Sequence, residues 1–313
     1  MNTFSNANKT TCLPTKLIRF GKTSWGAICL YTASVIGVSL CLIVVIVFVR
    51  NWNTPIVNAS HKYLTMTQVI SQLLLFSGLL LQVPEPTFFT CIARLVLCNM
   101  LSTLIFSIIL VKNELFIRVF KIRHLSSRRR SVVNQSMTVG LLIFMTICGL
   151  GLTAAVIFLE RHSLVTKEYS AQGDTLTITC KDGGWNVLQV AFFMALCLFC
   201  GVQAFRVRKL PEFFNEASLI AFTMFSTVAI MCLWIVLHNS MSDLVAKSSL
   251  TTGVIMTIDF IIVVLMHGYK VFVIVFRPHN NCRASMKRQT MKYSDDNTRK
   301  HMRRLLSKRE SEV

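Results

Sequence analysis

The chain runs to 313 residues, of which 53% are hydrophobic and only 15% charged. That balance is too apolar and too charge-poor for an ordinary soluble domain, and it excludes disorder for the bulk of the chain. The 11 cysteines fall mostly inside apolar runs, against a disulfide scaffold, and 33 Lys and Arg against 14 Asp and Glu leave a net charge of +19 whose meaning depends on where it collects.

Residues 1–24 are polar, carry Pro14 and scattered Lys and Arg, and read as a short extracellular tail without a cleavable signal. Asn8-Lys9-Thr10 is a glycosylation sequon there, with Asn8 as the acceptor, and Cys12 is an odd external cysteine. Seven apolar runs follow, near residues 25–49, 63–81, 91–111, 137–159, 185–205, 217–237 and 249–276. Each can cross the roughly 30 Å hydrocarbon core as a helix of about 20 residues. Runs such as CLIVVIVFV are apolar at every position, whereas barrel strands alternate, so the fold class expected is an all-α seven-transmembrane bundle. The second run holds Gln68, Ser71, Gln72 and Ser77, and the third and sixth hold several Ser, Thr, Asn and Cys, which predicts helices facing one another along a polar seam.

With the first helix entering from outside, the four inner segments carry 24 of the 33 Lys and Arg. The positive-inside rule then puts the N-terminus outside and a basic tail, residues 277–313, in the cytoplasm, in agreement with seven crossings. The charge is a topology signal with added attraction to anionic membrane lipid, and nucleic acid is not a needed partner.

No nucleophile elbow, phosphate-cradling loop or zinc-spaced His pair is present, so the chain reads as no enzyme, with no cofactor and no metal. Cys197 and Cys200 share a CxxC spacing in the middle of the fifth run, where two small buried residues are the better reading than redox chemistry. Cys91 opens the third helix and Cys180 lies in the long outer loop 160–184, so position makes them a candidate disulfide pinning that loop over the bundle mouth. Cys282, just past the seventh helix among basic residues, is a palmitoylation candidate against an inert-thiol reading. Asp259, about a third of the way into the seventh helix, has no opposite charge within a helical turn; it could serve a transported cation or proton, a ligand's counter-charge, or nothing beyond facing the bundle. Lys112 ends the third helix and Glu216 opens the sixth, both at the inner boundary, where their meeting would hold the inner face shut.

The loops carry a resemblance. Asn53-Thr54-Pro55-Ile56-Val57-Asn58-Ala59-Ser60, Leu110-Val111-Lys112 with Arg118-Val119-Phe120, and Arg208-Lys209-Leu210-Pro211-Glu212-Phe213-Phe214-Asn215-Glu216-Ala217 resemble class C G-protein-coupled receptors. Ile220-Ala221-Phe222-Thr223-Met224-Phe225 extends the match, and Lys270-Val271-Phe272 with Arg277-Pro278 resembles the end of the family's seventh helix. The similarity is collinear over about residues 25–281 and is nearest the metabotropic glutamate, calcium-sensing and taste receptor branch. It implies the Cys91–Cys180 bridge, a Lys112–Glu216 lock restraining the inactive state, and a ligand pocket at Ser102, Phe106, Met231, Trp234, Ile258 and Asp259.

Departures from the family pattern are equally specific. Only about 24 residues precede the first helix, where members carry a large ligand domain, so the expectation is an orphan-type receptor. Met231 stands where many members have Trp, Tyr269 where Pro is expected, and Asp259 where a small neutral residue is usual. The function expected is relay of a bundle rearrangement to a heterotrimeric G protein at the plasma membrane. The alternatives are a non-signalling partner in a dimer with a full-length class C receptor, homodimers also being expected, or a small transporter or channel using Asp259. Arg128-Arg129-Arg130-Ser131 and Arg304-Leu305-Leu306-Ser307 are basophilic phosphorylation candidates at Ser131 and Ser307. The terminal Ser311-Glu312-Val313 could add as a strand to a PDZ protein through Ser311 and Val313.

Overall fold

A computed structural model describes residues 3–5, 12–14, 16–18, 25–80, 87–121, 127–160, 165–169, 175–180, 187–207 and 216–277 of the chain. In hydrocarbon every backbone donor and acceptor must be satisfied within its own segment, so continuous apolar runs fold as helices. They are α1 (Trp25–Arg50), a short α2 (Pro55–Ala59), α3 (Lys62–Leu79), α4 (Phe88–Lys121), α5 (Ser127–Glu160), α6 (Val187–Val207), α7 (Glu216–Ser240) and α8 (Leu244–Ile262). The last runs through a π-helical turn, Val263–Gly268, into α9 (Tyr269–Phe276) to make the seventh crossing. Among the described residues, six of these segments are long and apolar enough to cross a membrane by length and composition. The remaining one, α3, is 18 residues long and more polar, because Thr65, Gln68, Ser71 and Gln72 are buried against its neighbours.

The helices close a ring in chain order, α1 on α3, α3 on α4, α4 on α5, α6 on α7, α7 on α8, and α8 and α9 back on α1. In addition α4 packs on α6 and α7, which places it at the centre. Its most apolar stretch is 72% buried inside the protein, against 17% for α5, whose Ile143, Phe144, Ile147 and Leu150 face outward. Such faces would drive aggregation in water and are ordinary against lipid. Association in lipid relies on close packing and interhelical hydrogen bonds rather than on burial of apolar area. Ser34 Oγ of α1 donates to the carbonyl of Phe76 in α3 at 2.8 Å, Asn113 Nδ2 of α4 to that of Cys200 in α6 at 3.1 Å, and Trp234 Nε1 of α7 to Thr251 Oγ1 of α8 at 3.1 Å. At two places the helices approach so closely that only glycine fits. A Cβ on Gly37 would meet the Phe76 ring at 2.6 Å, and one on Gly149 would meet Thr103 at 2.5 Å.

The helix ends are set locally. Thr54 sits at the N-cap position of α2, its hydroxyl donating back to the carbonyl of Asn51 at 2.8 Å, and Pro55 opens the first turn, where the missing N–H costs nothing. The side chain of Asp243 accepts from the N–H of Val245 at 3.1 Å and starts α8. Around the turn between α2 and α3, Lys62 Nζ lies 5.0 Å from the Trp52 ring and 5.4 Å from that of Tyr63. Cation and aromatic groups of this kind settle at a membrane–water boundary.

Several details differ from the sequence reading. Ser77 is not part of the polar seam: it is exposed, and its hydroxyl is satisfied by the carbonyl of Leu73 one turn back at 2.9 Å. The third and fourth crossings are longer than their apolar runs, α4 reaching Lys121 and α5 beginning at Ser127, because helix continues past the hydrocarbon into basic sequence. The outer loop contains a hairpin of β4 (Val165–Tyr169) and β5 (Thr175–Cys180), antiparallel, with Val165 opposite Cys180. Its free side pairs in parallel with β3 (Lys16–Ile18), in register Lys16 to Thr175, and β1 (Thr3–Ser5) pairs with β2 (Cys12–Pro14). Each of these strands lies outside the membrane-crossing helices in the chain.

Candidate functional site

Three levels of the bundle carry polar chemistry. At one end Cys91, near the start of α4, is joined to Cys180 at the end of β5, with Cα atoms 5.5 Å apart and a sequence separation of 89. The bridge ties the hairpin to the central helix, and α8 packs against β5 as well. One turn past Cys91 in α4, Arg94 is 3% exposed and donates from Nη2 to Ser248 Oγ of α8 at 3.4 Å. A guanidinium inside a span must find acceptors in the protein, so this contact brings α4 and α8 together under the hairpin.

At mid-depth a small cavity lies between α3, α4 and α8. Leu75 lines it from α3, Ser102, Ile105 and Phe106 from α4, and Ile255, Ile258, Asp259 and Ile262 from α8. It offers a water's centre about 10 Å³ of space, which is room for about one water molecule. Asp259 is 2% exposed, and neither of its carboxylate oxygens has a hydrogen-bond partner among the described residues. Gln72, one turn before Leu75 on α3, stands beside it within electrostatic reach but outside hydrogen-bonding geometry. Of the positions singled out as a pocket, Ser102, Phe106, Ile258 and Asp259 line this one cavity. Met231 is fully buried in the α7 core, and Trp234 stacks on His238 with ring centroids 4.8 Å apart while bonding Thr251; neither lines the cavity.

At the opposite end from the bridge, Lys112 of α4 is fully buried and donates from Nζ to Gln68 Oε1 of α3 at 2.8 Å. Lys270, at the start of α9, and Lys112 both lie within electrostatic reach of His267 in the π-turn. His267 is fully buried beside Phe48 of α1, ring centroids 6.5 Å apart, and neither ring nitrogen has a hydrogen-bond partner among the described residues. Polar groups of α3, α4 and the seventh crossing thus converge where the basic connections leave the bundle. Glu216 opens α7 in backbone trace, but its side chain lies outside the described residues.

Cys197 and Cys200 are free thiols buried in α6. Asn8, Cys282, Ser307, Ser311 and Val313 lie outside the described residues, as do the side chains of Cys12 and Ser131. Arg94 and His267 escaped the sequence reading. The signal that picks out Asp259, an ionisable residue inside an apolar run, applies equally to both.

Comparison with known proteins converges on one family. The family model described as 7 transmembrane sweet-taste receptor of 3 GCPR matches residues 22–284. The chain is 30% identical over 284 residues to the extracellular calcium-sensing receptor of Sus scrofa, covering 88% of this chain and 25% of that protein. It is 26% identical over 285 residues to metabotropic glutamate receptor 4 of Rattus norvegicus, covering 88% and 31%. With the metabotropic glutamate receptor of Drosophila melanogaster it shares 23% over 252 residues, covering 80% and 26%. The chain therefore spans about a quarter to a third of the length of the curated relatives it matches. The matched segment takes in all seven crossings, the bridge and the buried networks beneath it, and the chain belongs to the class C family of G-protein-coupled receptors through its seven-transmembrane domain.

Proposed function

We propose that this chain is a signalling receptor domain of the plasma membrane, without catalysis of its own, that passes a rearrangement of the bundle to a heterotrimeric G protein. The observation that carries the reading is the buried Lys112, held by Gln68 across α3 and α4 at the end where the basic connections emerge. By the positive-inside rule that end is cytoplasmic and the Cys91–Cys180 end extracellular. Lys112 pairs with Glu216 in the resting state, and the basic connections between α4 and α5 and between α6 and α7, with the helix ends that flank them, meet the G protein when that contact opens. An agonist or modulator that opens the small cavity at Ser102, Phe106, Ile258 and Asp259 toward Met231 and Trp234 acts there, above the lock. Asn8 is glycosylated, Cys282 is acylated, Ser131 and Ser307 take phosphate that weakens the basic face, and Ser311 with Val313 docks a PDZ protein. Receptors of this class act here as homodimers or as heterodimers with a full-length member.

The test is expression of the intact chain, tagged at its N-terminus, in cells that lack other class C receptors, with surface staining and basal G-protein dissociation read across subtypes. Surface arrival with dissociation above the empty-vector level for at least one subtype is the expected result. Retention inside the cell, relieved by a full-length family member and silent toward every subtype, would make the chain a non-signalling partner instead.

A further inference from the structure

Asp259 poses a specific physical problem. It is a carboxylate at mid-membrane depth, buried, with both oxygens unpartnered among the described residues. An ionised, unpaired group there is costly, so it needs either a proton or a cation. Three features favour the cation. The space it lines has room for about one water-sized particle, so an ion fits and a larger amine does not. Ser102 lines the same space from α4, and the side chain of Gln72, fully buried with both amide atoms unpartnered among the described residues, stands within reach of the carboxylate from α3. Each of the three side chains can offer a hard oxygen donor, the ligand class that suits small alkali and alkaline-earth ions. A single carboxylate balances one charge, whereas a divalent ion would leave net charge in the hydrocarbon.

We propose that Asp259, with Gln72 Oε1 and Ser102 Oγ, forms a site for one sodium-sized monovalent cation between α3, α4 and α8. The bound ion clamps the three helices together. The site stands whether or not a G protein couples.

The probe is sodium chloride alone, exchanged against choline chloride at constant ionic strength and neutral pH. The full chain in detergent or nanodiscs is heated with a thiol-reactive dye, which reports exposure of the buried Cys41, Cys98, Cys197 and Cys200. A site-bound ion raises the midpoint saturably, by about 3–5 °C at roughly tenfold excess over its dissociation constant. Potassium should do less, and the Asp259→Asn protein should show no sodium response. An equal response to choline, or a sodium response retained in Asp259→Asn, overturns the proposal. If that variant does not fold, Gln72→Leu and Ser102→Ala take its place, each expected to raise the half-saturating sodium concentration about tenfold. Retention of radioactive sodium by the wild-type protein decides independently: about one ion per chain supports the site, and none means that Asp259 carries a proton, which overturns it.

Discussion

Replacing Cys91 with Ser should cost the domain about 2–4 kcal/mol and remove most of it from the cell surface. The bridge is the covalent tie between the outer hairpin and the helix at the centre of the bundle, and it closes a segment of 89 positions. Without it, β5 is held by β3, β4 and contacts to α8, and the hairpin is free to lift off the mouth of the bundle. Much of the enclosed segment stays helical in the membrane when the domain unfolds, so the entropy recovered is less than a soluble loop of that length would give. Cys180→Ser should match Cys91→Ser, and the double variant should be no worse than either single one, because each alone abolishes the same bond. Surface staining and thermal inactivation in detergent measure this; additive losses would mean that each cysteine contributes separately.

A second large effect is expected at Gly149. A Cβ there would stand 2.5 Å from Thr103 Cγ2 and 2.7 Å from its Oγ1. Thr103 cannot easily turn away, since its hydroxyl donates to the carbonyl of Asn99 at 2.7 Å and it sits 2% exposed between α4 and α5. Gly149→Leu should therefore force the two helices apart and cost about 3 kcal/mol. Gly151, a little further along the same helix, is exposed, and a Cβ added to it would meet nothing within 4 Å. Gly151→Leu should thus be neutral or stabilising by about 0.5–1 kcal/mol. Thermal midpoints of the two variants give the comparison, and equal losses would contradict the close α4–α5 approach.

The membrane fold was legible because its signal is redundant. Six of the crossings are long apolar runs, and the basic residues segregate to one set of connections, so composition, length and parity agree. What the sequence concealed depends on three-dimensional partners. Ser77 looks like Ser71 in the same run, yet only Ser71 faces the bundle, because Ser77 lies on the outward side of α3. The π-turn at Val263–Gly268 has no composition signal, and its register shift shows only in the folded backbone. Short strands such as Val165–Tyr169 and Thr175–Cys180 are too brief and too polar to stand out from a loop, and they exist through their pairing with each other and with β3. At the site, the ionisable residues were visible one by one, but the pairing of Lys112 with Gln68 required knowing which faces of α3 and α4 meet. Met231 and Trp234 show the converse: the family resemblance places them at pocket positions, while the small cavity at Asp259 closes without them.

If Lys112 at the cytoplasmic end restrains a signalling bundle, its removal must raise activity in the absence of any ligand. Basal G-protein dissociation by Lys112→Ala, normalised to surface level and read beside Gln68→Leu, tests this most directly. A several-fold rise is expected for Lys112→Ala and a smaller rise for Gln68→Leu; basal dissociation equal to wild type in both, at matched surface expression, would contradict the restraint.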